Sequence, residues 1–283
     1  MSNLITASEA FQQLKDPNTV IADVRFVLGE PAAGYNAYLL GHIPGAVFFD
    51  LNTDLSGPKM IHGGGHPLPH PDLFADKLGQ AGIDEHTNVI VYDDQGGSIA
   101  SRLWWMLKYA GHERVRLLSG GFSEWEAAGY PVDAELPQRA AKRFVNRFNE
   151  SLLAAMSEVK NGIGQAGRVL IDSRVPERYT GKDTSKYAKA GHIPGAINHY
   201  WEEGSPSGVF LGASHQRERF RDIPADQEII VYCGAGVTAC PNILALTEAG
   251  FKNVKLYIGS WSDWISYEGN PVAVGEEKEQ QDL

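Results

Sequence analysis

Short apolar runs and longer helical stretches alternate along the chain. Val20 to Val24 and Val89 to Tyr92 are short apolar runs bounded by turn residues, the pattern of buried strands. Ile99 to Ala110 has the length of a helix, with Trp104, Leu107 and Lys108 spaced to fall on one face. Thr6 and Glu9 predict a capping box at the start of the first helix. Strands alternating with helices predict α/β domains built on mainly parallel sheets.

The pattern then repeats. Ile21-Ala22-Asp23-Val24-Arg25 is matched later by Leu170-Ile171-Asp172-Ser173-Arg174. Gly41-His42-Ile43-Pro44-Gly45-Ala46 returns as Gly191-His192-Ile193-Pro194-Gly195-Ala196. Val89-Ile90-Val91-Tyr92-Asp93 matches Ile229-Ile230-Val231-Tyr232-Cys233, and Gly120-Gly121-Phe122-Ser123-Glu124-Trp125 matches Gly259-Ser260-Trp261-Ser262-Asp263-Trp264. Matches in the same order at similar offsets imply two copies of one fold. The expected division is a first domain over 1–135, a linker over 136–149 and a second domain over 150–283. Pro137 and the basic residues Arg139, Lys142, Arg143 and Arg147 suggest a solvated connector there.

Composition narrows the function. The formal charge of −10 argues against nucleic acid as a main partner. No stretch approaches the ~20 apolar residues of a membrane helix, and Met1 to Leu14 lacks the pattern of a signal peptide. The two cysteines, Cys233 and Cys240, form no disulfide framework and fit a reducing, cytoplasmic setting. No metal-ligand spacing stands out. His62 and His66 sit in a Gly- and Pro-rich run, His62-Gly63-Gly64-Gly65-His66-Pro67-Leu68-Pro69, that reads as a loop.

The chemistry is expected at Cys233. The apolar run Glu228 to Tyr232 leads straight into it, and Gly234-Ala235-Gly236-Val237-Thr238-Ala239 precede a helical stretch reaching Ala249. Open α/β sheets bind ligands at such strand-to-helix turns. The two glycines allow positive φ and a tight loop whose N–H groups can turn inward as an anion nest. The helix N-terminus adds positive potential. Both favour a thiolate, the nucleophilic form. A free cysteine at a strand end is often an inert core residue; the glycines and the repeat favour reactivity here. In the first copy Asp93 stands at the cysteine position, so that copy is expected to be catalytically silent. Cys240, seven residues on, is expected to be buried on the helix.

The ordered motifs Asp-x-Arg, Gly-His-Ile-Pro-Gly-Ala, Cys-Gly-x-Gly-Val-Thr-Ala and Gly-Ser-Trp resemble the tandem rhodanese family of sulfurtransferases, from about Leu4 to Val274. The resemblance implies two tandem rhodanese-like α/β domains and sulfur carried on Cys233 as a persulfide. The loop amides from Gly234 through Ala235, Gly236, Val237 and Thr238 to Ala239 would cradle it. It implies no organic or metal cofactor, a thiosulfate or 3-mercaptopyruvate donor, and a thiol, cyanide or thioredoxin-like acceptor. Thiosulfate enzymes of the family usually carry basic residues at the two positions after the cysteine. Here Gly234 and Ala235 are neutral, which favours mercaptopyruvate. The mercaptopyruvate enzymes usually have serine where Ala235 stands, thought to work with a histidine that we match to His42. The resemblance also implies carboxylate binding at Arg178, with Lys186 near a second family arginine. The pairs Asp23/Arg25 and Asp172/Arg174, and the recurrent His192, read as structural, and Trp104 and Trp105 as core or interface residues. The family's phosphatase relatives need an arginine six residues after the cysteine, where this chain has Ala239. A sulfur-relay or protein-binding module is the remaining alternative.

Overall fold

A computed structural model describes residues 2–277. The chain forms two compact units, and each is assembled from more than one stretch. The first comprises Met1–Pro58, Leu68–Glu150 and Gly204–Ala213; the second comprises Lys59–Pro67, Ser151–Glu203 and Ser214–Leu283. The division therefore differs from a simple cut near residues 135 and 150, because each half lends a segment to the other's unit.

The first unit holds β1 (Leu4–Ile5), α1 (Ala7–Gln13), β2 (Thr19–Asp23), α2 (Ala33–Leu40), β3 (Val47–Phe48), α3 (Pro71–Gln80), β4 (Asn88–Tyr92), α4 (Ser98–Tyr109), β5 (Val115–Leu118) and α5 (Gly121–Ala127). Its strands form one sheet in the order β1-β5-β4-β2-β3, parallel throughout. The second unit holds α6 (Met156–Asn161), β6 (Arg168–Asp172), α7 (Pro176–Tyr179), β7 (Ala196–Asn198), β8 (Glu228–Tyr232), α9 (Cys240–Ala249), β9 (Val254–Leu256) and α10 (Ser260–Trp264), and α8 (Ala213–Arg219) begins at the junction between units. Its parallel sheet runs β7-β6-β8-β9. Leu153 adds a parallel bridge to Leu256, where β1 pairs with β5 in the first copy.

The local signals match their elements. The Thr6 side chain accepts the Glu9 N–H while the Glu9 carboxylate accepts that of Thr6, so the capping box is complete. Nearly every residue of α4 is buried, including Trp104 and Trp105, which makes them core residues. The central strands are apolar on both faces, as helices covering both sides of a parallel sheet require.

The repeated motifs turn out to be the same device built twice. Arg25 pairs with Asp23 at 2.7 Å, donates to the Gly41 carbonyl at 2.6 Å, and lies 4.2 Å from the Phe122 ring centre. Arg174 pairs with Asp172 at 2.5 Å, donates to the Gly191 carbonyl at 2.7 Å, and lies 4.7 Å from the Trp261 ring. Each pair is buried, and the arginine's Nε and Nη2 bonds to the carboxylate, with a further carbonyl on Nη2, offset part of the cost of taking the charges out of water. His42 is buried too, with Nδ1 2.8 Å from the Tyr38 carbonyl and Nε2 3.2 Å from that of Glu135, its ring stacked on Tyr38. His192 repeats this against the Tyr179 carbonyl and ring. The expected substrate role of His42 is therefore corrected: both ring nitrogens are engaged inside the first unit, and the histidine fixes a turn.

The stretch expected as a solvated linker is instead bonded along the first unit. Lys142, Arg147 and Asn149 donate their backbone N–H groups to the carbonyls of Gly79, Ala110 and Tyr109. The Lys142 ammonium also reaches Thr87 at 2.9 Å and Asp84 at 3.3 Å.

Candidate active site

Cys233 follows β8 directly and is buried at the start of the loop leading to α9. Its carbonyl accepts the Trp261 N–H at 3.0 Å, and its own N–H donates to the Ser260 hydroxyl oxygen at 3.1 Å. The Gly236 N–H donates to Cys233 Sγ at 3.2 Å. The Ser260 hydroxyl lies 3.8 Å from the same sulfur, with the Tyr257 carbonyl at 3.0 Å as its nearer acceptor. Among the described residues, the N–H groups of Gly234, Ala235, Val237, Thr238 and Ala239 find no acceptor. The Gly236 amide is placed on the sulfur, and unpaired N–H groups in a loop can take an anionic acceptor, since a buried donor left without one costs free energy. Cys240 is buried at the first position of α9, its thiol 3.8 Å from the Gly236 carbonyl.

The first copy shows what such a loop holds. Asp93, at the cysteine position, is fully enclosed. Its carboxylate accepts the N–H groups of Gln95, Gly97, Ile99 and Ala100, each at 2.9 Å. Burial pushes the Asp93 pKa up, and these four bonds oppose the push by stabilising the charged form. The loop geometry of this fold thus receives an anion, and in the first unit the chain fills the place with its own side chain.

Two glycines shape the cysteine loop. Gly236 has φ +80°, and a Cβ there would stand 2.2 Å from the Ile258 carbonyl oxygen. Gly234 is not in the left-handed region; a Cβ there would fall 1.9 Å from the Tyr187 hydroxyl. The segment Lys59–Pro67 borders the same loop. A Cβ on Gly65 would meet Ala235 Cβ at 2.9 Å, Gly65 N–H donates to Ser262 Oγ at 3.1 Å, and Gly63 N–H donates to Asp263 at 2.7 Å.

Arg178, on α7, binds Asp183 through Nε at 2.9 Å; among the described residues its two terminal nitrogens hold no partner. The Ser185 hydroxyl and N–H, with Arg178, hold the Asp183 carboxyl down at about 2. The Lys186 ammonium stands 5.8 Å over the Tyr187 ring. Partial desolvation, then repulsion from Arg178, lower its pKa, while the Cys233 charge works the other way. Burial, then the Cys233 charge, push the Tyr187 phenol up to about 12. Lys186 and Tyr187 are thus neighbours, and the Tyr187 hydroxyl abuts the loop at Gly234, the residue after Cys233. Tyr187 escaped the sequence reading because it lies in an irregular stretch between α7 and β7, with no motif around it.

A parallel-sheet unit made twice, with a buried cysteine directly after β8 in one copy and a buried aspartate directly after β4 in the other, is the architecture of a tandem sulfurtransferase. The Rhodanese-like domain family matches residues 6–128 and 155–267, and the chain belongs to that family. It is 38% identical over 282 residues to a Pseudomonas aeruginosa protein named "Probable 3-mercaptopyruvate sulfurtransferase", covering 97% of this chain and 99% of that one. It is 33% identical over 269 residues to the 3-mercaptopyruvate sulfurtransferase of Escherichia coli K12, covering 92% and 94%. The crystal structure of SseA from Escherichia coli superposes with a TM-score of 0.82 at 31% identity, covering 93% of this chain and all of that one. The protein is a sulfurtransferase. No helix among the described residues is long and apolar enough to cross a membrane.

Proposed function

We propose that this chain moves sulfane sulfur from 3-mercaptopyruvate to a thiol acceptor through a persulfide on Cys233. The observation that carries the reading is the sulfur's setting: Sγ accepts the Gly236 N–H at 3.2 Å at the base of a loop with five further unpaired amides. An attacking Cys233 thiolate would form an S–S bond with the donor sulfur, and the outer sulfur would take the amides of residues 234–239. Thiol–disulfide-type attack by the acceptor on that outer sulfur would return the thiolate. Arg178 suits the donor's carboxylate, because a guanidinium with two free terminal nitrogens can bind it in a bidentate way. Lys186 adds a second positive charge. The neutral Gly234 and Ala235 favour a donor with one carboxylate over the thiosulfate dianion. The cytoplasm, and a thioredoxin-like protein or cyanide as alternative acceptors, complete the reading.

Turnover tests it. Pyruvate and persulfide formation from 3-mercaptopyruvate with a small thiol should vanish in Cys233→Ser and persist in Cys240→Ser. Activity retained by Cys233→Ser would remove the carrier.

A further inference from the structure

The Tyr187 hydroxyl has a setting that packing alone does not explain. It rests against the α-carbon of Gly234, the residue after the nucleophile, so closely that any Cβ there would strike it. It makes no hydrogen bond among the described residues. The Lys186 ammonium lies 5.8 Å from its ring centre, and the charges of Cys233, Arg174, Arg178 and Asp172 act on it. The hydroxyl therefore borders the loop at the residue after Cys233, with glycine enforced opposite its oxygen and no acceptor among the described residues.

A β-thiol α-keto acid demands such a group. When the Cys233 thiolate attacks the donor sulfur, the S–S bond forms and the C–S bond breaks with its electron pair going to carbon. The sulfur is oxidised to the sulfane level and the carbon is reduced, leaving an enolate that must gain a proton to become the methyl ketone. The donor's own S–H proton remains on the outer persulfide sulfur. Ala235 has no hydroxyl to offer. The Ser260 hydroxyl already has the Tyr257 carbonyl as acceptor at 3.0 Å.

We propose that Tyr187 is a catalytic residue of the sulfur-loading step, giving its phenolic proton to the carbon of the departing enolate and recovering a proton from the outer sulfur of the persulfide. Protons and charge balance: the proton that arrives on the donor's thiol leaves on the product's methyl group, and the phenol is restored. This rests on the mercaptopyruvate reading above. The elevated phenol pKa keeps the proton in place until a strongly basic carbon appears.

The test is single-turnover loading without acceptor. Tyr187→Phe keeps the ring and removes only the hydroxyl. It should slow the pyruvate burst about 100-fold or more, the usual worth of a positioned acid, while Cys233 alkylation by iodoacetamide stays within about twofold. Loading from thiosulfate, whose sulfite leaving group takes no proton on carbon, should also keep its rate in the variant. An unchanged pyruvate burst in Tyr187→Phe would overturn the assignment. So would an equal loss of loading and alkylation, which would make Tyr187 a support for the loop. A loss seen in Lys186→Met but not in Tyr187→Phe would move the role to Lys186. If the wild-type protein gives no pyruvate burst, the donor reading itself fails and the assignment falls with it.

Discussion

Gly234 and Gly236 stand two residues apart in the cysteine loop for different reasons. Gly236 has the positive φ that the sequence reading expected of both. Gly234 is required by space, because Tyr187 occupies the volume a side chain would need. A conformational demand is legible from a glycine in a loop; a steric demand from a residue 47 positions away in sequence is not. The same contact constrains substitution at 234. An arginine at 234, as in the thiosulfate enzymes this chain resembles, would have to displace Tyr187. Arg178 carries its own prediction. Charge-assisted hydrogen bonds contribute about 1.5–3 kcal/mol each, so Arg178→Ala should raise the KM for 3-mercaptopyruvate by one to two orders of magnitude with little change in kcat. Steady-state kinetics decide it, and an unchanged KM removes Arg178 from the donor site.

The strands and helices were largely readable, because apolar runs and caps act locally. The 136–149 stretch was not. Much of its anchoring comes from backbone bonds to Gly79, Ala110 and Tyr109, which impose no residue period. Its side-chain anchor from Lys142 to Asp84 has a pH signature. Burial opposes ionisation of Asp84, but the Thr87 hydroxyl, the His86 N–H and the Lys142 ammonium together hold its carboxyl down at about 2. The unfolded carboxyl titrates near ~3.9, so this stabilisation is fully present above that pH and is lost as pH falls toward 2. Asp84→Asn should therefore flatten the acid-side fall in thermal stability between about pH 4 and about pH 2, and increase tryptic cleavage at Arg139 and Arg143 at neutral pH. Wild-type behaviour in both assays would show that Lys142 contributes nothing to holding the stretch.

Across the whole molecule, the duplication was visible because its motifs carry the same buried machinery in both copies: the Asp–Arg pair, the stacked histidine, and Tyr92 or Tyr232 at the end of β4 or β8, whose hydroxyl accepts the N–H of Ile43 or Ile193. That shared burden explains why His42 invited a functional reading and does structural work. The segments Lys59–Pro67 and Gly204–Ala213, each belonging to the unit of the opposite half, left no trace in the pattern, since loop segments have no apolar period to betray their partner. Asp93 gives the duplication its asymmetry: at the position of Cys233 the first copy has a carboxylate with four N–H bonds.

One carrier per chain is the central claim, and intact mass after brief exposure to 3-mercaptopyruvate without acceptor reads it directly. The account predicts a single gain of about 32 Da, absent in Cys233→Ser and reversed by a small thiol. A gain that survives in Cys233→Ser, or two gains on the wild-type chain, would contradict it.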